Sequence, residues 1–116
     1  MNKKVISDQK EMSDSLKAAQ QAGAYEGMKS VGHGEYINGN KFIGIKKGCA
    51  GEPFSHFNEQ ITIVVEGCIE FHLEDEVHIL RAGDTVFVPA NKVHYGIALE
   101  DSTVIDMFAP PRKFMD

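Results

Sequence analysis

The chain has 116 residues, of which 42% are hydrophobic and 25% are charged, and its formal net charge is -5 at pH 7. This length and composition are typical of one globular domain with its own core, and the chain is too short for two. The acidic balance argues against nucleic acid as the main partner, because binding to phosphates needs a basic face.

The N-terminal segment is polar and weakly patterned. It lacks the apolar stretch of a secretory signal, and no apolar run in the chain approaches the about 20 residues of a membrane-spanning helix. Residues 13–22 predict one short helix. We therefore expect residues 1–27 to form an arm and residues 28–116 to form the domain, in a protein that does not bind membranes.

From residue 28 onward, short runs rich in β-branched and aromatic residues are separated by turn signals, as in all-β sandwiches and barrels. The turn signals include Asn38-Gly39-Asn40 and Glu74-Asp75-Glu76. The pattern predicts strands near residues 28–33, 41–46, 54–57, 60–66, 68–74, 76–81, 85–88, 93–99 and 103–109. We also expect a homodimer, because a second subunit would cover the edge strands and the arm.

The two cysteines, Cys49 and Cys68, do not form a CxxC pair. Free thiols in a reducing compartment are the simpler expectation, and this favours the cytoplasm.

Two polar stretches flank the predicted strands. Residues 48–67, GCAGEPFSHFNEQITIVVEG, place His56, Asn58 and Gln60 directly before an apolar run, and residues 83–94, GDTVFVPANKVH, end in a histidine. Several candidate ligands at the mouth of a buried strand are typical of a small β-barrel with a site inside it.

The spacing of residues within these two stretches resembles that of the two sequence motifs of the cupin superfamily. This resemblance implies a jelly-roll barrel of two antiparallel sheets. The first cupin motif, G-x5-H-x-H-x3,4-E-x6-G, matches the frame of Gly48, Phe54, His56, Gln60 and Gly67. The second, G-x5-P-x-G-x2-H-x3-N, matches Gly83, Pro89 and His94, with Asn91 and Ala98 as substitutions.

Within that superfamily the chain is similar to small single-domain cupins of the KdgF type, which act in pectin degradation. The shared features are a Glu-Gln pair at residues 59–60, EGCIEF at 66–71 and DMFAPPR at 106–112. This resemblance implies a divalent metal, one of Ni, Mn, Fe or Zn, held by His56, Gln60 and His94. Phe54 occupies the position of a further histidine ligand in that family, so a site without metal stays open.

The final motif supplies two further candidates. In the KdgF type the aspartate and arginine of this motif are implicated in converting a cyclic unsaturated uronate to its linear keto form, and they correspond to Asp106 and Arg112. Strand alternation turns Asp106 away from its apolar neighbours into the barrel, where burial would raise its pKa. Arg112 suits a substrate carboxylate. A structural pair of Asp106 with Arg112, or a solvated Arg112, is the alternative.

These features favour a metal-dependent enzyme of the isomerase, cyclase or lyase type, acting on a small substrate with a carbonyl or enol oxygen. The pocket would be lined by Phe54, Asn58 and Phe108. One alternative is a metal-free binding or sensor cupin with an apolar ligand. Another is an iron-dependent dioxygenase, although two histidines and no motif glutamate favour it less.

Overall fold

A computed structural model describes residues 23–112, and every regular element in that range is a β-strand. The predicted helix at 13–22 lies outside the described residues. The strands are β1 (Gly27–His33), β2 (Asn38–Ile45), β3 (Glu59–Glu66), β4 (Cys68–Leu73), β5 (Glu76–Arg81), β6 (Thr85–Val88), β7 (His94–Ala98) and β8 (Ser102–Ala109). The all-β prediction is confirmed.

The strands form two antiparallel sheets, as predicted for the jelly roll. The larger sheet has the order β1-β2-β8-β3-β6, and the smaller has the order β5-β4-β7. Their apolar faces pack against each other, since each strand turns alternate side chains inward. The core between them consists of Val64, Ile69, Phe71, Leu80, Val88, Ala98 and Val104.

The alternation along β3 decides what faces the barrel interior. Gln60, Thr62 and Val64 are buried, whereas Ile61 and Val65 are exposed on the outer face. The apolar run therefore contributes aliphatic side chains to both faces of the sheet, and the polar residues Gln60 and Thr62 point inward.

Register places three polar residues side by side in the larger sheet. Asp106 of β8 lies opposite Thr62 of β3 on one side and opposite Asn40 of β2 on the other. Directly opposite residues share a face of a sheet, so all three point into the barrel. The predicted inward direction of Asp106 follows from this register.

Two local predictions are wrong. Asn38-Gly39-Asn40 is not a turn but the first part of β2, and the chain turns earlier, where Gly34 N donates to Ile37 O at 2.7 Å. Both polar groups of the Asn38 side chain bond to the backbone of Arg112, and these long-range contacts outweigh the turn preference. Residues 54–57 form no strand; Phe54 makes only an isolated bridge with His94.

The β3–β4 connection needs a glycine. Gly67 has φ +91°, which L side chains rarely adopt, and a Cβ there would collide with Ser102. The Ser102 hydroxyl takes the space and accepts a hydrogen bond from Cys68 N at 3.1 Å. Cys49 and Cys68 are both free thiols. Residues 23–112 contain no helix long and apolar enough to cross a membrane.

Candidate functional site

Side chains from both motifs meet at one end of the barrel. Gln60 begins the inward-facing row of β3, His94 is the first residue of β7 on the opposite sheet, and His56 lies in the loop before β3. The Oε1 of Gln60 lies 3.0 Å from Nε2 of His56 and 3.1 Å from Nε2 of His94. The structure thus brings together the three residues predicted as metal ligands.

Backbone carbonyls fix the tautomer of both imidazoles. His56 Nδ1 lies 3.0 Å from the carbonyl oxygen of Asn58, and His94 Nδ1 lies 2.9 Å from that of Lys92. A carbonyl only accepts, so each Nδ1 carries the proton and each Nε2 of a neutral ring presents a lone pair. Burial lowers the pKa of both histidines, and the charge of Arg112 adds to this, which favours the neutral rings.

Thr62 orients the glutamine amide. Gln60 Nε2 donates to Thr62 Oγ1 at 2.8 Å, and the Thr62 hydroxyl donates to Asp106 Oδ1 at 2.6 Å. The amide oxygen is therefore turned toward the two imidazoles. Two nitrogen lone pairs and one amide oxygen meet without a donor between them, which fits a divalent cation. Residues 23–112 contain no group of three or more His, Cys, Asp or Glu suited to a metal, so a metal site here would depend on the amide oxygen of Gln60.

Asp106 is linked to the three predicted metal ligands through Thr62. Burial raises the pKa of its carboxyl to about 6, although the hydrogen bond from Thr62 and the charge of Arg112 act in the opposite direction. A group with this pKa exchanges protons near neutral pH, as a general acid or base must. Asp106 is thus connected to Gln60 through a single hydroxyl, that of Thr62.

Arg112 is held at the mouth by its backbone. Arg112 N donates to Asn38 Oδ1 at 3.0 Å, and Asn38 Nδ2 donates to the Arg112 carbonyl at 2.6 Å. Its guanidinium carbon lies 4.6 Å from the ring centre of Phe54 and 5.6 Å from that of Phe108. Burial lowers the pKa of the guanidinium, and the charge of Asp106 raises it. The cation therefore sits over two aromatic rings within electrostatic reach of the carboxylate.

Asn58 does not line the pocket, which corrects the sequence-based prediction. It is buried, and its Nδ2 donates to the carbonyl of Pro110 at 2.6 Å and to that of Pro111 at 3.3 Å. Asn58 therefore anchors the segment that carries Arg112.

The site opens into a cavity of about 350 Å³ between the two sheets. Phe54 and Phe108 are part of its wall. Its polar lining includes Gln60, Thr62, His94, Asp106 and Arg112, and its apolar lining includes Tyr25, Phe42, Ile45, Ile69, Phe71, Ala98 and Val104.

A model of the cupin domain family matches residues 41–108, more than half of the chain. The chain is a cupin. It is 38% identical over 68 residues to the pectin degradation protein KdgF of Dickeya dadantii (strain 3937), a match that covers 57% of this chain and 62% of that protein. The matched part therefore spans less than two thirds of that relative.

Solved structures agree with this assignment. The structure of KdgF from Halomonas sp. is 36% identical, with a TM-score of 0.70, covering 74% of this chain and 81% of that one. An RmlC-like cupin from Shewanella frigidimarina is 28% identical, with a TM-score of 0.69, covering 74% and 78%. The chain is a small cupin similar to KdgF proteins.

Phe54 lies beside the two histidines of the site. Its backbone pairs with His94 through hydrogen bonds of 3.3 and 3.0 Å. Its ring centre lies 5.0 Å from that of His94 and 5.7 Å from that of His56. A phenyl ring thus flanks the two histidines at the position where the resemblance to KdgF cupins implied a third imidazole.

Sequence reasoning missed Thr62 and Asn38 as parts of the site. Strand alternation alone placed Thr62 on the same face as Gln60, so this signal was available. Asn38 was obscured by the turn preference of Asn-Gly-Asn. Its role depends on Arg112, 74 positions further along the chain, which local patterns do not reveal.

Proposed function

We propose that this cupin is a metal-dependent enzyme that isomerises, cyclises or cleaves a small substrate at a carbonyl or enol group. The observation that carries this proposal is the convergence of two imidazole lone pairs and an amide oxygen beside a buried carboxyl whose pKa is raised to about 6. Similarity to proteins named for pectin degradation makes tautomerisation of a sugar acid the nearest known example.

His56, Gln60 and His94 would hold the metal, with Ni, Mn, Fe and Zn all compatible with two imidazoles and an amide. When bound, such a metal supplies a Lewis acid for a carbonyl or enol oxygen. Asp106 is mostly ionised at neutral pH and takes a proton from the carbon beside the carbonyl, then returns it elsewhere on the substrate. Arg112 binds an anionic group and keeps it oriented.

Metal analysis tests the site directly. The protein is purified without a metal-binding tag or chelator, and its metal content is measured by mass spectrometry. We expect a near-stoichiometric divalent metal, lost in His56→Ala and in His94→Ala. The matched control is His78→Ala, because His78 lies exposed on β5 and bonds to Glu76. Unchanged metal content in His94→Ala would exclude the proposed ligand set.

A metal-free binding module is the second candidate, and Phe54 favours it. If the Gln60 amide turns over, its NH2 group donates to both imidazoles and its oxygen accepts from Thr62, which in turn accepts from a protonated Asp106. This arrangement satisfies every group without a cation. Protein that stays free of metal after incubation with each of the four metals would support this candidate instead.

We further propose that the protein acts as a cytoplasmic homodimer. Ile61 and Phe87 are neighbours on the outer face of the larger sheet, 45% and 51% exposed, and Val65 lies on the same face. Such an apolar sheet face is typical of an interface. Light scattering should give twice the monomer mass, and the monomer mass after Ile61→Asp; a monomeric wild type would refute the dimer.

A further inference from the structure

The cavity is layered, and the layers differ in chemistry. Along β8 the inward residues are Phe108, Asp106 and Val104, which lie opposite Gln60, Thr62 and Val64 of β3 in that order. On the smaller sheet the pairs run from Leu73 and His94, through Phe71 and Gly96, to Ile69 and Ala98. Each step of two residues moves about 6.5 Å into the barrel. The ligands form the first layer, Asp106 the second, and hydrocarbon side chains the third.

The third layer offers a ligand almost nothing polar to bind. Val104 pairs with Phe42 on the larger sheet, and Ile69 lies on the smaller sheet beside Ala98. Two lining residues that carry a hydroxyl or a thiol lie near this layer: Tyr25, whose ring centre is 5.5 Å from that of Phe42, and Cys49, whose backbone carbonyl accepts from Ala98 N at 2.9 Å. A sugar acid that reached this depth would bury several hydroxyl groups against methyl and phenyl groups. Each hydroxyl left without a partner weakens binding by roughly tenfold or more.

The polar groups, in contrast, are concentrated at the mouth. The guanidinium of Arg112 lies over Phe54, whose ring is 5.0 Å from that of His94. A carboxylate on Arg112 would therefore lie close to the ligand set, and the rest of the molecule would pass Asp106 toward Val104. The layers therefore match a molecule that carries four groups in order from the mouth inward: a carboxylate, an adjacent carbonyl, an acidic carbon and an apolar group.

We propose that the substrate is a small 2-oxo carboxylate, or its enol, that carries an aryl or branched alkyl group, and not a polyhydroxylated sugar acid. This inference rests on the proposed function and narrows its substrate class. The reaction balances as an isomerisation: the carbon beside the carbonyl gains the proton that the enol hydroxyl releases. No oxidant, reductant or second substrate is needed. A cavity of about 350 Å³ holds a molecule of this size.

Phenylpyruvate and galacturonate are suitable probes: both are carboxylates of similar size, but phenylpyruvate carries a 2-oxo group and an apolar ring, whereas galacturonate carries several hydroxyl groups. Their dissociation constants are measured by calorimetry on the protein as purified and on metal-loaded protein. We expect phenylpyruvate to bind at least about tenfold more tightly. Arg112→Gln should weaken its binding by roughly tenfold or more, since a charge-assisted bond is lost.

The variant Val104→Thr tests the apolar layer, because it places a hydroxyl there without changing the side chain's shape. It should weaken phenylpyruvate binding by about tenfold. The matched control is Val88→Thr, a fully buried valine of the same core that does not line the cavity, and it should leave the dissociation constant unchanged.

The outcomes separate this inference from the proposed function. Equal or tighter binding of galacturonate, or no binding of either probe, would overturn the substrate class while leaving the metal site intact. Absence of metal with a preserved preference for phenylpyruvate would refute the metal-dependent enzyme and keep the ligand class. Equal weakening by Val104→Thr and Val88→Thr would show that the cavity wall does not contact the ligand, which also overturns the inference.

Discussion

Replacing Asp106 with asparagine should stabilise the fold at neutral pH and abolish turnover. The native carboxyl has a pKa of about 6, whereas its ordinary value is 3.8, because burial disfavours the charged form. The folded state thus holds this proton more tightly than the unfolded state, and stability falls as the pH rises between the two values. The gap corresponds to about 3 kcal/mol at neutral pH. Asparagine keeps an acceptor for Thr62 and has no charge to bury.

The assay is urea unfolding of both proteins from about pH 4 to about pH 7, the interval in which the carboxyl titrates. The free energy of unfolding of Asp106→Asn minus that of the wild type should rise across this interval by up to about 3 kcal/mol. Asp75→Asn removes a carboxylate from the exposed β4–β5 turn and serves as the control, with no such rise. A flat or falling difference would refute the argument that burial of Asp106 is costly. Retained turnover with bound metal would remove Asp106 from the mechanism.

Three further predictions concern single positions. Phe54→His adds an imidazole beside His94 and should raise the affinity for metal by about tenfold or more. Competition with a chelator measures this affinity. An unchanged affinity would mean that the side chain at position 54 does not face the metal. Thr62→Val removes the hydroxyl that donates to Asp106, so the pKa of Asp106 should rise above about 6 by roughly one to two pH units. The pH–rate profile, or the pH dependence of the free energy of unfolding, should shift to higher pH by the same amount. An unchanged profile would contradict the role of Thr62 in stabilising the Asp106 carboxylate. Gly67→Ala should lower the free energy of unfolding in urea by about 2 kcal/mol or more, because φ is +91° and the new Cβ meets Ser102; a wild-type midpoint would contradict this.

The sequence was most informative where a regular period or a fixed motif spacing applied. Alternation along β8 indicated that Asp106 points inward, and the register with Thr62 agrees. The motif spacing indicated that His56, Gln60 and His94 belong together. Gln60 is the second residue of β3 and His94 the first residue of β7, and these strands belong to different sheets, so the packing of the two sheets face to face brings them together.

Where prediction was wrong, long-range contacts outweighed local preference. Asn38 has the composition of a turn, yet both polar groups of its side chain bond to the backbone of Arg112, and this extends β2. Asn58 has the spacing of a pocket residue, yet its amide is turned to Pro110. In both cases the deciding partner belongs to the C-terminal segment, more than 50 positions away along the chain, and neither partner has a local signal.

The row formed by Asn40, Asp106 and Thr62 bears most directly on function. It crosses the middle of the larger sheet, where valine would pack well and cost nothing to bury. Instead, the row holds Asp106, whose raised pKa of about 6 corresponds to a cost on the order of 3 kcal/mol at neutral pH. Asn40 is 2% exposed, and its Nδ2 has no hydrogen-bond partner among residues 23–112. Native domains are stable by only about 5–15 kcal/mol, so these costs are large.

Buried groups that weaken a fold cluster at functional sites, and this row lies between the proposed metal ligands and the apolar end of the cavity. The row therefore supports chemistry at Asp106 independently of any metal, and the pH dependence of Asp106→Asn is the measurement that tests it.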